Sequence, residues 1–112
     1  MTNIKVDRGS LVLVRVDQPC GITARGTLDV GQIAYLTGTL ERLAAESGGE
    51  LLLDCTGLDF AGVDALRAIV QTAGVLHAAE RRLRVRGLSP YYARVLQLAG
   101  WDQTPGLLLD AA

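Results

Sequence analysis

The chain is 112 residues long, 49% hydrophobic and 21% charged, with 11 Lys+Arg against 12 Asp+Glu and a formal net charge of −1. That size suits one domain over residues 1–112, and that composition excludes a disordered chain. The charge balance excludes a general nucleic-acid binder, which needs surplus cations against phosphate, and two cysteines with one histidine exclude most protein-ligated zinc sites.

No apolar run approaches the length of a membrane span, so no direct membrane insertion is expected. The opening MTNIKVDRGS has no apolar core before its charges and does not read as a secretory signal, which makes the cytoplasm the expected location. The run Leu11 to Val16 is β-branched and strand-like. Gln18-Pro19 interrupts it, because proline cannot continue a ladder. Ile22 to Leu28 follows with apolar residues at Ile22, Ala24 and Leu28, so the two runs predict an antiparallel hairpin.

Val30 to Glu46 predicts the first helix, since Ile33, Leu36, Leu40 and Leu43 recur at three- and four-residue spacing. Ser47-Gly48-Gly49 ends it. Leu51-Leu52-Leu53 predicts a strand central in a sheet, and Gly57 to Gly62 predicts a loop. Val63 to Glu80 predicts the second helix, with Leu66, Ile69, Val70, Ala73, Leu76 and His77 inward. Arg82 to Arg86 predicts a half-buried strand with Leu83 and Val85 inward. Ser89-Pro90 is a strong helix start, with the serine as cap and the proline in the first turn, and that helix runs to Ala99 before Gly100. Gly106 precedes a final apolar run, Leu107 to Leu109. The predicted order is ββαβαβαβ. It describes an α/β fold with a mostly parallel sheet, an antiparallel edge hairpin and helices packed on it.

Chemistry is sparse. The chain has no GxxxxGK[ST] phosphate loop and no GxGxxG turn. His77 is the only histidine and reads as a structural or half-exposed residue rather than a catalytic one. No nucleophile with a base can be assembled, so the reading is not an enzyme and needs no cofactor. Cys20 and Cys55 are expected to lie about six strand residues, or about 20 Å, apart, too far for a disulfide. Arg81 to Arg86 is the one dense basic run and reads as a solvated strand face, with an anionic surface as the alternative. Asp54, Asp59 and Asp64 recur every five residues; turn-forming and capping roles are favoured over binding a hard cation.

Three segments together resemble the STAS domain, a family that includes bacterial anti-sigma factor antagonists and the cytoplasmic domains of sulphate transporters. Gly26-Thr27-Leu28-Asp29 is close to the family's G-E-L-D. Leu51-Leu52-Leu53-Asp54-Cys55-Thr56-Gly57-Leu58-Asp59-Phe60 is close to the family's third-strand LVLDLSGVxF, and Leu88-Ser89-Pro90 with Val95 to Trp101 is close to GxSPxVRRVLELTGL. Members of the switch type carry D-S-S-G-L near that phenylalanine. Their second serine is phosphorylated by an anti-sigma factor that is also a kinase, which releases the antagonist. Aligned without gaps, Gly62-Val63-Asp64-Ala65-Leu66 falls on D-S-S-G-L, so Asp64 stands at the phosphoacceptor position and Val63 at the serine before it. Thr56 matches the family's serine before glycine and reads as a turn residue.

The resemblance implies a binding regulator that occupies a kinase-like anti-sigma factor and so frees a sigma factor to direct transcription. The implied partner-binding residues are Asp29, Asp59, Ala61, Gly62, Val63, Asp64 and Arg67. Asp64 is either a fixed, partial mimic of phosphoserine in the first turn of a helix, where negative charge is favoured, or a lost acceptor replaced by a good helix-start residue. Two other roles known in the family stay open: a cytoplasmic STAS subunit of an ABC-type lipid transport complex, and a ligand-sensing STAS domain with its site at the Gly57–Gly62 segment. The chain fits a monomer or a weak dimer.

Overall fold

Strand pairing fixes where every helix lies in the computed structural model, which describes residues 3–8 and 11–110. Six strands form one sheet in chain order: β1 (Asn3–Arg8), β2 (Leu11–Asp17), β3 (Cys20–Leu28), β4 (Leu51–Ala61), β5 (Leu83–Arg86) and β6 (Leu107–Asp110). The pairs β1/β2 and β2/β3 are antiparallel, and β3/β4, β4/β5 and β5/β6 are parallel. The predicted ββαβαβαβ therefore runs from β2 to β6, and β1 adds a strand to the antiparallel edge. The β2–β3 hairpin turns at Gln18–Pro19, whose peptide bond is cis.

Each parallel pair is joined by one helix: α1 (Ile33–Glu46), α2 (Val63–Ala78) and α3 (Pro90–Ala99). Successive right-handed crossovers between adjacent strands place their helices on one face of the sheet. The alternation of side chains agrees. Leu13, Ile22, Leu53 and Val85 point to the buried side, whereas Val14, Thr23, Arg84 and Leu108 are only half-buried on the other. Leucine, isoleucine, valine and alanine make almost all of the core, with Leu36, Leu40 and Leu43 from α1 meeting Leu66, Ile69, Ala73 and Leu76 from α2. Ser89 caps α3 by accepting from the Tyr92 N–H, as the Ser-Pro start predicts.

Four expectations change. The Gly57–Gly62 segment is not a loop: β4 continues to Ala61, and Gly62 alone links it to α2. The strand was disguised by two irregularities in its pairing. Thr23 faces Asp54 but Arg25 faces Gly57, and Gly26 faces Leu58 but Thr27 faces Phe60, so β4 carries an extra residue at each place. An extra residue shifts the inward-outward alternation that marks a strand in sequence. His77 is exposed rather than inward, because Leu76 takes the core position at the end of α2. The cysteines are both free, with Cys55 buried, but the β3/β4 register separates them by only four strand residues, about 13 Å. The basic run is also split. Arg81 donates to the carbonyls of Ala44 and Gly49 and to Ser47 Oγ, and Arg84 pairs with Glu50 and Asp110. Only Arg82 and Arg86 project as exposed cations, so no continuous basic face forms.

Among the described residues, no helix is long and apolar enough to cross a membrane, and no three His, Cys, Asp or Glu side chains group around a common point. Asp54 accepts from the Thr56 N–H at 2.9 Å within β4, so it sits in a strand and not in a turn.

Candidate functional site

The C-terminal edge of the parallel strands gathers the start of every helix. At the end of β3, Asp29 Oδ1 accepts from the Val30 N–H at 2.8 Å, and the Gln32 side chain accepts from the Asp29 N–H at 2.9 Å. This reciprocal capping box starts a 3-10 turn, Val30–Gln32, that runs into α1. At the end of β4, the Gly62 N–H donates to the Leu28 carbonyl at 2.9 Å. That bond ties the two strand ends together and brings Asp29 beside Gly62.

Gly62 is the N-cap of α2, and it offers no side chain to the free amides of the first turn. Asp64 is the acidic residue of that turn. Its carboxylate is exposed and has no hydrogen bond or ion pair among the described residues. The exposed amides and the helix dipole both favour its charge there. Arg67 is exposed one turn further along α2, and Asp59 is exposed at the second extra residue of β4.

The structure thus brings six of the seven sequence-predicted contact residues to one exposed edge. Ala61 is the exception: only 3% of its surface is accessible and it belongs to the core. It ends β4 and, from its buried position, lines the slot described next.

Sequence reasoning named Val63 but missed the rest of the apolar part of the site. Val30 is 66% exposed, Phe60 45%, Val63 59% and Tyr91 71%. Phe60, Val63 and Tyr91, with Gly62, Leu66, Tyr92 and Val95, surround a slot of about 130 Å³ between the starts of α2 and α3. Tyr91 and Tyr92 hold one wall with their rings edge to face, centroids 5.1 Å apart and planes at 78°. The available signal was an apolar residue at each helix start, where the sheet edge leaves nothing to cover it. Small-molecule pockets run to about 300–1,000 Å³, so this slot suits one side chain rather than a metabolite.

Comparison with known proteins agrees with this architecture. A family model described as "Mlab, STAS domain" matches residues 11–110. An anti-sigma factor antagonist from Mycobacterium paratuberculosis superposes with a TM-score of 0.70 at 20% identity, covering 88% of this chain and 86% of that one. A chain of the complex of the diguanylate cyclase SiaD with its activator SiaC, from Pseudomonas aeruginosa, superposes with a TM-score of 0.60 at 17% identity, covering 98% of each. No curated protein matches the chain in sequence.

Proposed function

The chain belongs to the STAS domain family, and from that membership we propose that it is a non-enzymatic, cytoplasmic protein-binding regulator of the anti-sigma factor antagonist type. One observation carries the reading. Among the described residues six large apolar side chains are exposed, and four of them, Val30, Phe60, Val63 and Tyr91, stand on the sheet edge that also presents Asp29, Asp59, Asp64 and Arg67. A concentrated apolar patch rimmed by charge is the composition of a protein interface.

The partner we assign is a kinase-like anti-sigma factor. Occupying it frees the sigma factor by competition, which requires binding and no covalent step. Neither Val63 nor Asp64 has a hydroxyl, so a serine kinase has no acceptor at the switch position. The docked state is therefore not reversed by ATP. Switch-type relatives are released by phosphate; this chain carries a constant charge of smaller size in the same turn.

The test is capture from the native cell extract with the wild-type protein and with Asp64→Ser, each with and without ATP. Wild type is expected to retain a protein with a kinase-like ATP-binding domain whether or not ATP is present, and ATP is expected to discharge it from Asp64→Ser. Retention of no such protein by either form overturns the reading. The missing hydroxyl also favours a second reading, a STAS subunit of an ABC-type lipid transport complex that works without phosphorylation. Retention of an ATP-binding transport subunit by both forms selects it.

A further inference from the structure

We propose that the slot between α2 and α3 seats a single branched aliphatic side chain of the partner, flanked on the partner by arginine or lysine. The inference rests on the docking reading above and gives the partner surface its chemistry.

The slot sets the size of the anchor. Its volume of about 130 Å³ has room for one leucine-sized side chain, and its walls are Phe60, Val63, Leu66, Val95 and the tyrosine pair. A side chain entering it leaves water and meets mostly apolar surface, the situation in which one residue dominates binding.

The rim sets the flanks. Asp59 lies directly before Phe60, Asp64 directly after Val63, and Asp29 beside Gly62 at the mouth. Asp59 and Asp64 have no hydrogen bond or ion pair among the described residues, and Arg67, a full turn along α2, is the nearest cation in sequence. An acidic or phosphorylated partner segment would set like charges opposite one another, which disfavours docking. A basic segment places each cation against an open carboxylate. The complementarity selects the partner and speeds its approach more than it adds affinity, because exposed pairs are worth little each.

The test follows backbone amide resonances of the isotopically labelled chain during titration with four capped pentapeptides: Ser-Arg-Leu-Arg-Ser, Ser-Glu-Leu-Glu-Ser, Ser-Arg-Gly-Arg-Ser and Ser-Ser-Leu-Ser-Ser. The expected result is saturable shifts with the first, confined to Phe60–Arg67 and Tyr91–Val95, and weaker binding of the other three. In the Asp59→Asn, Asp64→Asn double variant, the preference for Arg-Leu-Arg over the neutral peptide is expected to fall about fivefold. Raising the salt is expected to shrink it in the wild type. Both substitutions are at exposed positions, and the same spectra report whether the variant is folded. Equal binding of the glutamate peptide overturns the basic flanks. Equal binding of the glycine peptide overturns the aliphatic anchor. Shifts that are absent or scattered overturn both. None of these outcomes touches the capture of a whole partner protein, which tests the docking reading separately.

Discussion

A methyl group on Gly62 would stand 3.2 Å from Asp29 Oδ1, the oxygen that caps the turn before α1. Two segments more than thirty residues apart thus share one small volume: the end of β3 with its cap, and the start of α2. The Gly62 backbone is ordinary, with φ near −72° and ψ near 159°, so conformational freedom does not require glycine there. The neighbouring carboxylate is what makes a larger residue tight there.

This contact gives a coupled pair of mutations. Asp29→Ala removes a capping box and is expected to cost about 1 kcal/mol of stability. Gly62→Ala is expected to cost about 1 kcal/mol in the wild type, because the carboxylate must shift away from its amide. In an Asp29→Ala background the same substitution meets no carboxylate. It should then cost less than in the wild type, because the smaller entropy of the unfolded chain favours alanine while the N-cap position still favours glycine. Urea denaturation of the four proteins checks this; strictly additive effects would show that the two residues do not share the space.

Gly87 and Gly100 separate backbone strain from collision. Both have positive φ, 75° and 76°. A Cβ on Gly100 meets nothing within 4 Å, whereas one on Gly87 would stand 2.1 Å from Thr56 Oγ1 and 2.9 Å from the Thr56 backbone nitrogen. The hydroxyl can rotate but the nitrogen is fixed in β4. Gly100→Ala is expected to lose about 1–2 kcal/mol, the cost of a side chain in left-handed backbone. Gly87→Ala is expected to lose about 2–4 kcal/mol. Equal losses by thermal or urea denaturation would mean that β4 yields at Thr56.

Much of this architecture was legible before any coordinates, and the failures have particular causes. The helix of Ile33, Leu36, Leu40 and Leu43 and the start at Ser89-Pro90 were readable because amphipathic spacing and caps are local signals. Asp64 was placed in the first turn of α2 by alignment and stands there. The far half of β4 was not readable, because two extra residues scramble the alternation and Gly57 resembles a turn. β1 is absent from the predicted order because Ile4 and Val6 alone, among charged and polar neighbours, make too short an alternation to mark a strand. The apolar half of the site was hidden for another reason. Phe60 and Tyr91 look like core residues in sequence, and only the assembled sheet edge shows that nothing covers them.

Cys55 supplies a pH dependence. Burial is the larger cause and the neighbouring Asp54 charge the smaller; together they push the thiol up to about 12 from an ordinary value of 9.0. The folded state therefore holds this proton more tightly than the unfolded state. Its contribution is intact below pH 9 and is lost as pH rises from there toward 12, at up to about 1.4 kcal/mol per pH unit. Cys55→Ala is expected to lower stability at pH 7 and to flatten its decline above pH 9 relative to wild type. In the native protein at pH 8, a thiol reagent is expected to label half-buried Cys20 and leave Cys55 unlabelled until denaturant is added. Rapid labelling of both sites would contradict the burial.

Asp64 and Val63 distinguish a residue that starts a helix from one that meets a partner. Asp64→Ala is expected to lower stability by about 0.3–1 kcal/mol, and added salt should erase the difference, because an exposed charge acts on the dipole through water. Val63→Ser is expected to change stability by less than about 0.5 kcal/mol, since the side chain is 59% exposed and a helix start accepts serine. Its effect on docking should be much larger, a loss of about tenfold or more in partner affinity, as for an apolar residue at the centre of an interface. The discriminating quantity is the ratio of the two effects, read by urea denaturation and by binding to the captured partner. A core residue loses stability first and binding as a consequence. An interface residue loses binding with the fold intact, and if Val63→Ser leaves binding unchanged, the apolar edge is not where the partner sits.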